Sequence, residues 1–257
     1  MNLPLWGDWQ KIDEGLEYGN FALAMQSSHG NSMIDIIRID PEEYDFELLL
    51  ASENNGKKRK LDKWINDFNY IGGINAGMFQ ADRLTSTGYL KNYDHENNPH
   101  HHSSYNMYFV CNPKQPGLPE AQVVDRKEER ADELITQYNS VLQSIRMVAS
   151  GGKNIWSPQQ KKWSEAALGE DNKGRILFIF SSSPYTMHDL INLLLELPLD
   201  LDKLMHLEGG PEASIFVLYK DFSLQRSGSY KSEFWEQYNE MPFWSIPNVI
   251  GLKKSNR

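Results

Sequence analysis

Residues 203–219 read KLMHLEGGPEASIFVLY, two strand-like runs joined by a glycine-rich turn. The first run, KLMHL, is short and apolar, and the second, SIFVLY, has the β-branched and aromatic residues that favour strands. The Gly-Gly-Pro segment between them is typical of a turn. A strand, a turn and a second strand are therefore predicted here.

Two carboxylates and a hydroxyl flank this turn, on Glu208, Glu212 and Ser214. Gly209 and Gly210 have no side chains, so they leave room for a ligand to reach the carboxylates. Two carboxylates with different pKa values can divide general-acid and electrostatic roles between them. The segment is a candidate catalytic site, with an ordinary surface turn as the alternative.

The rest of the chain mixes helical and strand patterns. Apolar residues at helical spacing predict helices at residues 60–68, 128–143 and 185–196. Short β-prone runs predict strands at residues 33–39, 46–51, 70–76, 145–149 and 175–180, the first two as neighbours. Ser181, Ser182 and Ser183 are expected to cap the last helix. The predicted fold is α/β with mixed sheet order, in one compact domain over residues 1–257.

Composition restricts the classes of partner. The chain has 257 residues, 40% of them hydrophobic, with no long linker and no repeat, so a single core is expected. Its net charge of -9 repels nucleic acid. A small anionic substrate still fits, because one or two arginines can make a pocket locally positive. No glycine-rich nucleotide motif occurs, so no nucleotide cofactor is expected.

Cysteine content and hydropathy restrict the possible disulfides, metal sites and cellular compartments of the chain. Cys111 is the only cysteine, which excludes an internal disulfide and makes a thiolate metal site unlikely on composition. No apolar run is long enough for a membrane span, and residues 1–20 do not read as a signal peptide. As written the chain is expected in the cytoplasm, or in the periplasm or outside the cell if a signal peptide has been removed upstream.

Two further segments place polar residues at the ends of predicted strands. Asn75 and Gly77 lie in the run NAGMF, where glycine permits close backbone approach and the amide can bind a ligand or close a buried turn. Arg146 interrupts the apolar strand SIRMV, and a buried arginine needs an acid or an anionic ligand. It could bind phosphate in bidentate fashion or form a structural ion pair.

Other polar and aromatic clusters favour structural roles. His100, His101 and His102 lie in a polar loop, and consecutive imidazoles point in different directions, so metal binding is not expected there. The serine run lacks the surroundings of a nucleophile elbow. Aromatic residues near the C-terminus are expected in the core rather than under a sugar: Phe234, Trp235, Tyr238, Phe243 and Trp244.

Four motifs, in this order, resemble the phosphodiester glycosidase family. They are INAGMF at residues 74–79, QSIRMV at 143–148, ALGEDNKGRILFIF at 167–180 and MHLEGGPEAS at 205–214. The resemblance covers about residues 33–219. It implies a mixed α/β domain in which the Asn-Ala-Gly loop and the acid-Gly-Gly loop line one pocket. The positions that match the family pattern are Asn75, Gly77, Glu208, Gly209 and Gly210.

Two departures from the family pattern concern charge. The family commonly has Asp-Gly-Gly followed by Gly or Pro and then Ser, whereas this chain has Glu208 as the acid and Glu212 at the position of that serine. The family also often carries an Arg-Thr-Ala-Ile-Gly segment, whereas residues 165–169 here read EAALG, with Glu165 at the position of the arginine. Arg146 or Arg83 could supply the missing positive charge, or the substrate could differ.

The resemblance and the residues together predict hydrolysis of a sugar-1-phosphate diester, on a small molecule or a glycan. Arg146 would hold phosphate while Glu208 or Glu212 acts as general acid or base; attack at carbon and attack at phosphorus both stay open. The expected substrate-binding residues are Asn75, Gly77, Arg83, Gly209, Gly210 and Ser214. A non-catalytic glycan-binding or envelope-assembly protein is the first alternative, and a metal-dependent phosphodiesterase is the second. No cofactor is predicted, although a divalent metal stays open, and the sequence does not specify the oligomeric state.

Overall fold

The computed structural model describes residues 7–128, 130–229 and 243–256. Within these residues the chain forms three β-sheets in which every strand pair is antiparallel, together with three short α-helices. The fold is therefore mostly β, and the predicted α/β class overstates the helix content. Strands are numbered below in chain order.

Sheet 1 has eight strands and is the largest sheet of the described residues. From one edge to the other its strands are β1 (Trp9–Asp13), β2 (Leu16–Ala22), β3 (Met33–Ile39), β14 (Ile176–Tyr185), β13 (Trp163–Asp171), β15 (Leu201–Gly209), β11 (Arg146–Ala149) and β12 (Lys153–Asn154). The middle strands β13 and β14 are buried along nearly their whole length. Such strands have no solvent-exposed face, so the period-2 alternation of a half-exposed strand is absent from them.

Sheets 2 and 3 have five strands each. Sheet 2 consists, in order, of β7 (His95–Asn98), β6 (Leu90–Asn92), β10 (Tyr138–Ser144), β8 (Met107–Pro113) and β9 (Ala121–Asp125). Sheet 3 consists, in order, of β17 (Phe222–Ser227), β16 (Ser214–Tyr219), β5 (Gly72–Asn75), β18 (Asn248–Lys254) and β4 (Tyr44–Leu50).

The main hydrophobic core lies between the three sheets. Phe178 of sheet 1, Phe46 of sheet 3 and Phe109 of sheet 2 meet there, with ring centroids 6.0 and 5.7 Å from that of Phe46. Burying each such ring stabilises the fold by about 1.5–3 kcal/mol. A void left by truncating Phe46 would therefore loosen all three sheets at once.

The helices cover outer faces of the sheets. The helices are α1 (Leu61–Asp67), α2 (Ala131–Ile135) and α3 (Met187–Leu195). Leu190, Ile191 and Leu194 recur at helical spacing along α3 and pack onto the outer face of sheet 1. The helix begins after Thr186, whose Oγ1 accepts a hydrogen bond from the Asp189 N–H at 3.1 Å, as a capping residue does.

Several predicted elements are confirmed and others are wrong. Strand β3 has the predicted bounds, and α1 and α3 lie where helices are predicted. The helix predicted over residues 128–143 is wrong beyond residue 135, because β10 follows; that strand is buried on both faces, and its apolar residues fit helical spacing by coincidence. Residues 181–184 extend β14 instead of capping α3.

The pairing predicted for residues 33–39 and 46–51 is also wrong. Strand β3 hydrogen-bonds to β2 and β14 in sheet 1, whereas β4 pairs with β18 in sheet 3. Their apolar side chains meet in the common core instead of sharing a hydrogen-bonded ladder. The short connection at residues 40–43 thus passes the chain from one sheet to another.

A second crossing between these sheets carries the acidic turn. Strand β15 ends sheet 1 at Gly209, a single 3-10 turn follows over Gly210–Glu212, and β16 starts in sheet 3 at Ser214. The segment predicted as strand, turn and strand has that structure. Because its two strands belong to different sheets, the turn lies at the junction between them.

Candidate active site

A pocket of about 520 Å³ opens at this junction. Its walls come from the acidic turn, from the segment before β13 and from single residues of other elements. They are Met78, Ile145, Trp156, Lys161, Lys162, Trp163, Met187, His206, Glu208, Gly209, Gly210, Pro211, Glu212 and Ser229. The volume suits a small molecule or one unit of a larger one.

Each of the three segments singled out in the sequence contributes at least one residue to this pocket. Met78 comes from the first segment, Ile145 from the second and the run from Glu208 to Glu212 from the third. Two of the three belong to loops at strand ends, which the sheets hold in place. Loops fixed by a rigid scaffold commonly form binding sites.

Three predicted binding residues, Asn75, Gly77 and Ser214, are not among the described residues that line the pocket. The Asn75 Oδ1 accepts a hydrogen bond from the Ser214 N–H at 3.0 Å, and both residues are buried. Gly77 has a φ of 72°, which a side chain would strain. Direct contact of these residues with a substrate stays a prediction.

The two glycines of the turn have different functions in the structure. At Gly209 a side chain would collide with the Trp163 indole, since an added Cβ would lie 2.4 Å from its Cδ1. The absence of a side chain there accommodates the indole. Gly210 has a φ of 75°, so it enables the turn through its backbone conformation.

A buried acid and a buried histidine form a pair at the base of the pocket. The Glu165 Oε1 lies 2.5 Å from the His206 Nδ1, and the Trp163 Nε1–H donates to Glu165 Oε2 at 2.8 Å. Glu165 is 1% exposed and His206 is 6% exposed. The two residues lie on the neighbouring strands β13 and β15, whose ladder brings them together.

Burial and charge shift the pKa values of these groups. Burial raises the pKa of the Glu165 carboxyl above its ordinary value, although His206 opposes the shift. Burial alone would lower the pKa of His206, but the charge of Glu165 and the hydrogen bond to it raise that pKa above its ordinary value. Both shifts are in the direction that favours the protonated form of each group.

Glu208 titrates near neutrality. Burial raises the pKa of its carboxyl to about 7, while the His206 charge and the Gly209 N–H, which donates to Glu208 Oε1 at 3.0 Å, act in the opposite direction. Nearby Glu212 adds to the rise. Both protonation states of Glu208 are therefore populated near pH 7, which suits a general acid or base.

Arg83 and Glu212 form a loose ion pair at the edge of the pocket. The Arg83 Nη2 lies 3.8 Å from the Glu212 Oε1, and the arginine side chain is 47% exposed. An exposed pair at this distance contributes little to stability. Arg83 is thus close enough to the turn for its predicted role in substrate binding, which stays a prediction.

Arg146 pairs with an acid outside the pocket. Its Nη1 lies 2.9 Å and 2.8 Å from the two carboxylate oxygens of Asp125, whose side chain is 3% exposed. Arg146 lines a neighbouring cavity of about 270 Å³ instead of the pocket. The expected burial and pairing are observed with a protein carboxylate, and the phosphate-holding role stays a prediction.

Ten of the described pocket residues were not recognised in the sequence as site residues, among them Trp156, Lys161, Lys162, Trp163 and His206. The lysines and tryptophans lie within residues 156–163, a polar stretch that precedes β13 and carries no known motif. The feature that could have indicated a binding site is two adjacent lysines between two tryptophans, in the segment WSPQQKKW. His206 belongs to a quoted motif, yet its partner Glu165 lies on a different strand.

The other polar clusters have structural partners. His101 stacks on Tyr89 and His102 on Tyr105, at centroid distances of 4.2 and 3.8 Å. Across the described parts of the chain, no three His, Cys, Asp or Glu side chains are grouped to hold a metal ion. Phe243 is buried as expected, whereas Trp244 is 36% exposed and the prediction is wrong for it. Three of the other aromatic residues lie outside the described residues: Phe234, Trp235 and Tyr238.

Comparisons with solved structures show the same fold in distant proteins. A hypothetical protein from Synechocystis superposes with a TM-score of 0.64 at 11% identity, over 97% of this chain and 64% of that one. This chain thus spans about two thirds of the length of that protein. The zebrafish N-acetylglucosamine-1-phosphodiester alpha-N-acetylglucosaminidase catalytic domain, auto-inhibited by its pro-peptide, gives a TM-score of 0.64 at 10% identity, over 97% of this chain and 87% of that one.

The sequence comparisons add the family. No curated protein sequence matches the chain significantly. None of the helices in the described part is long and apolar enough to cross a membrane. The sequence profile of the phosphodiester glycosidase family matches residues 68–253, which include the pocket and the acidic turn. The chain therefore belongs to the phosphodiester glycosidase family.

Proposed function

We propose that this chain hydrolyses a sugar-1-phosphate diester in the pocket, with Glu208 as the group that exchanges protons. The observation that carries the proposal is the position of Glu208, a carboxyl with a pKa of about 7 in a partly enclosed pocket. Family membership supports the reaction class. The roles of individual residues rest on their positions and chemistry.

The acids favour reaction at the anomeric carbon. In that reaction the bond from C1 to the phosphate oxygen breaks, water adds to C1, and the phosphate leaves as a monoester. Glu208 accepts the proton of the attacking water, and the nearby Glu212 carboxylate stabilises positive charge that develops on the sugar. Attack at phosphorus would require more positive charge around the phosphate.

The other pocket residues have the chemistry to contact the sugar and the phosphate of such a substrate. Trp156 and Trp163 line the pocket and offer aromatic faces against which a sugar ring can pack. Lys161 and Lys162 are exposed and line the same pocket, so their ammonium groups can attract the phosphate. In this arrangement Arg146 is not needed for phosphate, since its guanidinium is paired with Asp125.

Incubation with a panel of sugar-1-phosphate diesters in ¹⁸O-labelled water tests the proposal. We expect release of a free sugar that carries the label and of an unlabelled phosphate monoester. Label in the phosphate would replace attack at carbon by attack at phosphorus. Binding of the diesters without turnover would favour a non-catalytic glycan-binding protein, for which the acid at position 165 is a motivating observation. A parallel incubation with a chelator tests for dependence on a divalent metal.

A further inference from the structure

The Glu165 carboxylate is fixed from two sides. One oxygen contacts the His206 Nδ1 at 2.5 Å and the other accepts the Trp163 Nε1–H at 2.8 Å. A carboxylate held in this way cannot rotate away from the imidazole without losing a hydrogen bond in a buried place. The geometry therefore determines the orientation of the His206 ring.

This orientation leaves the second ring nitrogen of His206 available. Nδ1 is engaged by Glu165, and His206 is one of the pocket-lining residues. Among the described residues no group forms a hydrogen bond with its Nε2. A histidine whose Nδ1 is anchored by a carboxylate can present Nε2–H to a ligand.

The charges around the ring favour a positive imidazole. Glu165 faces it from β13, and Glu208 follows it on its own strand. Glu212 lines the same pocket, and so do Lys161 and Lys162, whose positive charges act in the opposite direction.

Charged and titratable groups on the adjoining elements face other partners. Arg146 on β11 faces Asp125, and the His188 Nδ1 on α3 contacts the Trp156 carbonyl oxygen. The nearest partner of the His206 ring is thus an acid.

We propose that His206, held as an imidazolium by Glu165, binds an anionic phosphate oxygen of the ligand through Nε2–H. Glu165 is the positioning residue, because it acts on the ligand only through His206. The ligand class follows from the donor, since a charged N–H prefers an oxyanion. The identity of that oxyanion as the phosphate of a sugar phosphate rests on the proposed function.

The test measures binding of glucose 1-phosphate, followed by NMR of the imidazole Cε1–H signals. His206→Gln identifies the His206 signal by its disappearance. In the wild-type protein we expect this signal to shift on addition of the probe, and to shift much less with glucose. We expect Glu165→Gln to weaken binding at pH 7.5 by about tenfold or more, the loss of one charge-assisted hydrogen bond.

Affinities measured at two pH values distinguish loss of the positive charge on His206 from a structural effect of the substitution. In Glu165→Gln the pKa of His206 falls, so at pH 5 the imidazole regains its proton and the affinity should approach that of the wild type. His206→Gln should stay weak at both pH values. Each affinity is taken relative to the wild type at the same pH, which cancels titration of the phosphate itself. Glu47→Gln, which removes a carboxylate that pairs with Lys253 away from the pocket, is the matched control and should bind like the wild type.

The outcomes distinguish this inference from the proposed function. Wild-type affinity of Glu165→Gln at pH 7.5, or absence of binding by the wild type, would overturn the role of His206. If the probe binds with the expected pH dependence while no diester is hydrolysed, the inference stands and the proposed function fails. If the wild type hydrolyses a diester and Glu165→Gln does so with an unchanged KM, the proposed function stands and the inference about His206 fails.

Discussion

The side-chain oxygen of Asn75 accepts a hydrogen bond from the backbone N–H of Ser214 at 3.0 Å, across 139 positions of sequence. Asn75 ends β5, and Ser214 begins β16 directly after the acidic turn. Both are buried, so the N–H has no access to water if the amide is removed. This contact connects the first and third predicted segments and fixes the end of the turn that follows Glu208.

Asn75→Ala tests the importance of that contact. The substitution leaves the Ser214 N–H unpaired, so we expect the free energy of unfolding to fall by about 1–2 kcal/mol. For a protein of this size this corresponds to about 2–4 °C per kcal/mol in melting temperature. Ser214→Ala is the control, since it keeps the N–H and removes only a hydroxyl that donates weakly to the Glu212 carbonyl at 3.3 Å. Equal melting temperatures for the two variants would contradict a structural role of the amide.

Arg146→Gln separates ion pairing from phosphate binding. The change leaves the buried Asp125 carboxylate without its cation, so we expect a loss of about 3 kcal/mol in unfolding free energy. KM should change little, because Arg146 does not line the pocket. Arg130→Gln removes an exposed pair with Glu133 and should cost less than about 0.5 kcal/mol. A large rise in KM with unchanged stability would make Arg146 the phosphate ligand instead.

The raised pKa of Glu208 predicts a pH dependence of stability. Between its ordinary value of 4.5 and about 7, the folded protein holds a proton that the unfolded chain releases. The unfolding free energy contributed by this group therefore falls as pH rises through that window. Chemical denaturation at several pH values should show a shallower decline in Glu208→Gln than in the wild type. Identical slopes would mean that Glu208 titrates at its ordinary pKa in the folded protein.

Double replacement of Lys161 and Lys162 by alanine tests the phosphate end of the pocket. Both side chains are exposed, so stability should change by no more than about 0.5 kcal/mol. KM for a phosphodiester should rise at low salt, and the difference from the wild type should shrink at high salt, where charges are screened. Lys57→Ala with Lys60→Ala removes two exposed lysines elsewhere and controls for net charge. A KM that stays at the wild-type value would remove the lysines from the site.

Some elements could be predicted because their signal is local. Strand β3 is an apolar run with turn residues after it, and its bounds are those expected. Strand β13 contains alanine, glycine and acids, which have low strand propensity, and it is a strand because its neighbours β14 and β15 pair with it on both sides. Its position therefore could not be read from its own residues.

The candidate site also has residues that local sequence could predict and residues that it could not. Glu208 could be predicted because the glycines beside it are neighbours in sequence. The contact between Glu165 and His206 depends on the register of β13 and β15, which shifts between Ala166 and Ala167. A slip of one residue turns a side chain to the opposite face of a sheet, so sequence spacing alone does not reveal such a pair. The structure changes the interpretation of Glu165 from a missing arginine to a partner of histidine.

The central claim is that Glu208 exchanges protons during hydrolysis, and turnover by Glu208→Gln tests it most directly. The amide keeps the size of the side chain but cannot transfer a proton, so we expect a loss of about a hundredfold or more in kcat with an unchanged fold. Glu212→Gln, measured in parallel, shows the cost of removing a carboxylate that only stabilises charge. Loss of activity in Glu208→Gln that clearly exceeds the loss in Glu212→Gln is the predicted result. Nearly full activity in Glu208→Gln, with at most a lower melting temperature, would contradict the assignment of Glu208 as the catalytic acid or base.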